Sequence, residues 1–225
     1  MTDPPLRLNV TTRRGKVKVT AAPGVSLHIE GGAVAREHEG VKEIRRDPDA
    51  EEILITCPNG TDVTIGTISG NVETEGELGA VRIATVSGKV RVADATRVDA
   101  RTKSGSIEIE ECTGECRVVS TSARVRIGHA ERAAIAGVSG IVEADGLGGA
   151  EVKTVSGKVL LGVTGAGPVS VHTVSGKVEI RVPRDLQPST RLKSISGKIR
   201  CDCPSGSDGE IKVASVSGAI RVSCE

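Results

Sequence analysis

The hexapeptide Thr-Val-Ser-Gly-Lys-Val occurs three times, starting at Thr85, Thr154 and Thr173. Its Ser, Gly and Lys are the residue types of a phosphate-binding loop, or of a nucleophile beside a cation. A phosphate loop needs the spacing GxxxxGK[ST] between a strand and a helix, whose N-terminus supplies the anion site. Here a strand-like pattern follows, and related copies replace the Lys by Asn, Ser, Arg, Ile or Ala. A serine nucleophile needs a histidine base, and His28, His38, His129 and His172 stand in no triad or nucleophile-elbow setting. The carboxylates of residues 108–111 (EIEE) would serve glycoside hydrolysis only if paired across one cleft, and solvated positions are the simpler reading. Cys112 and Cys116 offer half of a zinc-binding spacing without the other half. The sequence therefore predicts no catalytic residue, no metal and no cofactor, and it does not predict an enzyme.

The elements that carry these residues are repeats. Aligned on Ser-Gly, copies start at Thr67, Thr85, Thr102, Ser120, Gly137, Thr154, Thr173, Ser194 and Ser215, at intervals of 18, 17, 18, 17, 17, 19, 21 and 21 residues. A period of this size marks a repeat architecture. Three positions after the Ser, every copy has Val or Ile (Val72, Val90, Ile107, Val125, Val142, Val159, Val178, Ile199, Ile220). Four before it stand Ile65, Ile83, Ala100, Val118, Ile135, Val152, Val171, Leu192 and Val213. With polar residues between, this is the alternation of half-buried strands, two per repeat and joined at the Ser-Gly.

An up-and-down meander and a coil of stacked short strands both satisfy that alternation. The position four after the Ser separates them: Glu73, Arg91, Glu108, Arg126 and Glu143 alternate in sign before the run continues through Leu160, Glu179, Arg200 and Arg221. In a coil, equivalent residues lie one strand spacing apart, about 4.8 Å, where opposite charges attract and like charges repel. The hydroxyl two before the Ser recurs in every copy but the one at Gly137, and it predicts a ladder of stacked Thr and Ser. The expected fold is all-β, a parallel β-solenoid of about nine regular coils of 17–21 residues. Residues 1–60 form an irregular N-terminal β cap with degenerate first coils, and residues 61–225 form one continuous solenoid.

Thirty basic and 29 acidic residues give a net charge of +1, and Phe, Tyr and Trp are absent. Neither a basic field nor aromatic platforms would attract nucleic acid, and no apolar run is long enough to insert into a membrane. The start MTDPPLRLNV has no signal-peptide pattern, which predicts a cytoplasmic location. The chain ends at SVSGAIRVSCE, so an open C-terminal edge offers self-association unless Lys212 and Arg221 blunt it.

The run of xTVSGxVxV turns, entered through CPxGTDVxIGTxSGxV from Cys57 to Val72, resembles the bacterial β-strand-repeat family of uncharacterised domains known as "putative adhesins" or toast-rack domains. The resemblance covers nearly the whole chain. It implies that the parallel β-helix is right-handed, and it brings no catalytic residues.

Function then rests on surface. The residue before each Ser (Ile68, Val86, Lys103, Thr121, Val138, Val155, Val174, Ile195, Val216) is turned outward by the alternation, beside a ladder of Lys158, Lys177 and Lys198. Either the chain bends there and tucks this column into a corner of the core, or Val86, Val138, Val155, Val174, Ile195 and Val216 form an apolar stripe for a partner. Cys203 and Cys224, each seven after its Ser, should stack within disulfide reach. The late segments VTGAGP, PRDLQPST and CPSGSDGE lengthen the last repeats, either for recognition or as tolerated insertions. The leading expectation is a non-catalytic interaction or scaffold module with an unknown protein partner. A self-assembling filament and a polysaccharide-acting β-helix are the alternatives.

Overall fold

The computed structural model describes residues 5–38, 40–46 and 51–225. Residues 1–4, 39 and 47–50, which belong to the segment expected to form the cap, lie outside the described residues. Every regular element described is a strand, and no helix is long and apolar enough to cross a membrane. The chain divides into two compact units, Met1–Thr113 and Gly114–Glu225.

The first unit contains β1 (Arg7–Thr11), β2 (Lys16–Ala22), β3 (His28–Glu30), β4 (Ala33–His38), β5 (Val41–Arg46), β6 (Glu52–Pro58), β7 (Asp62–Gly66), β8 (Asn71–Thr85) and the start of β9 (Lys89–Val163). Equivalent residues of successive repeats pair in parallel, Val63 with Val81, Val81 with Val98, Val72 with Val90. The meander is thereby excluded. Glu73 lies beside Arg91 in the same register, as the alternating charges require.

The order of strands departs from the order of the chain. β1 lies between β5 and β7, with Val10 beside both Ile44 and Ile65. β2 lies likewise between β6 and β8, with Val17 beside Ile53 and Val72. The first strands of the chain are thus internal, and their outer neighbours β5 and β6 are covered by the antiparallel strands β4 and β3.

The second unit holds the remainder of β9, then β10 (Val169–Val182), β11 (Ser189–Ser194), β12 (Ile199–Cys201), β13 (Glu210–Ser217) and β14 (Ile220–Cys224). The same inversion recurs. β10 pairs on one side with β9, Val178 beside Val159, and on the other with the last strands of the chain, Val171 beside Val213 and Val178 beside Ile220. β11 and β12 then pair with β13 and β14, Leu192 beside Val213 and Ile199 beside Ile220. The final repeat therefore sits between its two predecessors. The edge expected at the C-terminus is instead made by residues 189–201, and Lys212 and Arg221 lie inside the ladder rather than blunting its end.

Two of the three lengthened segments, PRDLQPST and CPSGSDGE, have a geometric reason. To leave a gap for the last repeat, the chain must pass over one strand position, about 9.6 Å for two spacings. The six residues 183–188 have an extended reach of roughly 20 Å, and residues 202–209 bring the chain back. The disulfide between Cys203 and Cys224, with Cα atoms 5.2 Å apart, ties the inserted repeat to the edge repeat across a sequence separation of 21. Closing a loop of that size removes about 3 kcal/mol of unfolded-chain entropy.

The core consists of the predicted columns. Three after the Ser, Val72, Val90, Ile107, Val125, Val142, Val159, Val178 and Ile220 are all buried, and four before it so are Ile65, Ile83, Ala100, Val118, Ile135, Val152, Val171 and Val213. One repeat breaks both columns: Leu192 is half-buried and Ile199 is 44% exposed. Both belong to residues 189–201, the repeat at the spatial edge.

Candidate functional site

The corners at Thr85, Thr102, Thr154 and Thr173 are built by three residues with separate tasks. The Thr turns inward, and its hydroxyl donates to the carbonyl of the Ser two residues on, at 3.0 Å for Thr85, 2.8 Å for Thr102, 3.2 Å for Thr154 and 3.3 Å for Thr173. These hydroxyls staple their own corners; the expected ladder along the stack reduces to longer contacts, such as Thr154 to the Val138 carbonyl at 3.5 Å. The Gly takes a positive φ at several corners, 139° at Gly88 and 133° at Gly157. With Thr occupying the inward position, the residue between Thr and Ser has to face outward.

The corner-packing alternative for that residue fails accordingly. In the first unit Ile68 and Val86 are exposed; in the second, Val138, Val155, Val174, Val216 and Ile195 are between 45% and 82% exposed. The spatial order of the last three follows the inverted topology, Val174, then Val216, then Ile195, because Thr173 pairs with Ser215 and Ser215 with Ser194. The lysine ladder is corrected by the same fact. Lys158 and Lys177 are neighbours, but Ala219 stands between Lys177 and Lys198. Lys177 pairs with Glu179, whose carboxyl it holds below the usual range.

A shallow groove of about 470 Å³ runs along this stripe in the second unit. Val155, Val174 and Val216 line it with Lys153 and His172, and Thr154, Thr173 and Ser215 lie at its base. Gly137, where the hydroxyl is missing, opens one end, although a Cβ there would meet nothing closer than 3.4 Å. The groove can take an apolar side chain or a row of them, and on its rim Lys153 is already paired with Glu151 at 2.6 Å.

The residues weighed for chemistry fall elsewhere. Among the described residues no serine hydroxyl bonds to a histidine; His28 pairs with Glu30 at 3.0 Å. Glu108 and Glu110 face Lys89 and Arg91, at 3.7 Å and 3.0 Å, as charged neighbours on the strand face. Cys112 and Cys116 are buried, and no cluster of three or more His, Cys, Asp or Glu among the described residues is arranged to hold a metal.

One electrostatic feature of the first unit carries a prediction. Asp94 pairs with Glu77 in register and also feels Glu111; burial first, then these two carboxylates, pushes its carboxyl up. A raised folded-state value means that ionisation of Asp94 costs stability, a cost absent below the ordinary Asp value near 3.9 and fully present above the folded-state one. Asp94→Asn should therefore raise stability at pH 7 by about 0.5 kcal/mol, the scale of one like-charge cross-strand pair. The gain should vanish near pH 3, and urea unfolding at both pH values measures it.

A family model described as Toastrack DUF4097 matches residues 8–223. The crystal structure of a "putative adhesin" from Bacteroides fragilis aligns over 97% of this chain and 92% of its own, at 15% identity and a TM-score of 0.52. A "putative cell adhesion protein" from Clostridium sporogenes aligns over the same shares at 10% identity and a TM-score of 0.22. No curated protein matches the chain significantly.

Proposed function

We propose that this chain, which belongs to the Toastrack DUF4097 family, is a non-catalytic interaction and scaffold module that binds a protein partner through the apolar stripe of its second unit. In this reading the Ser-Gly register counts nine right-handed coils, and each coil acts as a rigid spacer for one stripe residue. The observation that carries the proposal is the exposure of Val138, Val155, Val174, Val216 and Ile195 in a fold whose other β-branched columns are buried. Isolated exposed apolar residues are ordinary, but a contiguous row of them beside a groove is the usual mark of a contact surface. The Bacteroides fragilis "putative adhesin", which shares the fold, suggests adhesion as the broader setting.

The test is a double substitution, Val155→Asp with Val174→Asp. Because both side chains already face solvent, stability should change by no more than about 0.5 kcal/mol. A pull-down from native lysate should lose the proteins that the unaltered chain retains. Recovery of the same proteins by both forms would remove the stripe from the function.

A further inference from the structure

The sheet edge formed by residues 189–201 is unlike the outer strands of the first unit. There, antiparallel strands cover the outermost parallel ones. β11 and β12, by contrast, pair on one side only among the described residues, with β13 and β14. Their outward backbone N–H and C=O groups form an unfilled ladder, a template for one more strand. Leu192 and Ile199 occupy columns buried in the other aligned repeats, yet here one is half-buried and the other 44% exposed. The core is open at this end.

Charge defines what can close it. Each arm of the edge repeat presents the same triplet, basic, apolar, basic: Arg191-Leu192-Lys193 within β11, and Lys198-Ile199-Arg200 at the start of β12. Arg191 is partly answered by Glu210 at 3.4 Å and Arg200 by Asp202 at 3.0 Å. Lys193 and Lys198 have no carboxylate within 4 Å among the described residues. A second copy meeting this edge with its own would set basic triplet against basic triplet, and like charges directly opposite across a ladder repel.

We propose that this edge accepts an extended strand from a different protein, in which acidic residues flank an apolar one. The apolar residue covers Leu192 or Ile199, its acidic neighbours face the basic side chains, and its backbone continues the ladder. This site does not depend on the valine stripe: the two are separated by testing the edge in the Val155→Asp, Val174→Asp protein, which should bind as well as the unaltered chain.

The probe is a synthetic eight-residue peptide of alternating glutamate and valine, titrated into the isotope-labelled full chain at low salt and followed by amide NMR. Shifts confined to residues 189–201 and slowed hydrogen exchange there are expected. Lys193→Glu with Lys198→Glu should weaken binding about tenfold, since two attractive positions become repulsive, without moving the remaining amide spectrum. A lysine-valine peptide that binds equally well, or shifts that fall elsewhere, would overturn the proposal. So would sedimentation showing that the chain dimerises through this edge as its concentration rises, which would make a second copy the occupant.

Discussion

A chain ending at residue 208 loses hydrogen-exchange protection not only for the deleted strands but throughout residues 189–201. Among the described residues β11 and β12 find their ladder partners only in β13 and β14, including the bonds from Ser196 N–H to the Val216 carbonyl and from Asp202 N–H to the Val222 carbonyl, both 2.9 Å. Deletion removes those acceptors, the disulfide at Cys224, and the buried side chains of Ile211, Val213, Ile220 and Val222. At about 1.5–3 kcal/mol for each such side chain, roughly 6–12 kcal/mol of burial is lost. The freed repeat could regain a place only by docking directly on β10, where the register would set Lys198 against Lys177. Exchange should therefore become fast over residues 189–208 and stay slow in β9 and β10. Retained protection at residues 189–201 would show that such docking succeeds, and that the inserted repeat is not needed to hold the edge.

The second large effect is expected at the glycine of the repeated hexapeptide. Gly157 has φ of +133°, and a Cβ there would lie 2.1 Å from the carbonyl oxygen of Gly140 in the neighbouring repeat. Gly157→Ala thus combines a backbone conformation that costs a side-chain-bearing residue about 1–3 kcal/mol with a collision against backbone, which has no flexible end to move aside. Stability should fall by about 3 kcal/mol or more in urea unfolding. Val155→Ala, two residues away and exposed, should cost less than about 0.5 kcal/mol. Equal, small effects at both positions would mean that the corners are free to open.

The sequence and the structure agree where periodicity is the signal. Val159 and Val178 share a column because each stands three after its Ser, and pairing in register follows from that spacing. The same arithmetic placed Cys203 beside Cys224. Column arithmetic is blind to order, however: exchanging two repeats in the stack leaves every residue in its column. The position of residues 210–224 inside residues 189–201 was therefore illegible from the columns, and the grouping of Lys198 with Lys177 failed for that reason. The trace that did exist was the 21-residue interval, which fits a chain skipping one position and returning. At the candidate site, alternation pointed Val155 and Val174 outward but left a tucked corner equally open, and only the inward Thr154 and Thr173 decide between the two. The groove beside them depends on depth along the strand bend, which a linear pattern does not contain.

The inverted ends bear on how such a chain can change in length. A copy gained or lost at either terminus would displace a strand that is held on both sides, β1 with β2 at the start or β13 with β14 at the finish. It would also break the register of whatever clasps it, including the cystine at Cys224. A copy duplicated within residues 123–157, where the intervals are 17 residues and each corner lies against the one before it in the chain, Gly140 on Ala123 and Gly157 on Gly140, disturbs neither clasp. Descendants of this gene should accordingly differ by whole repeats in the middle and keep their first and last repeats fixed, as a zip fastener is lengthened between its stops.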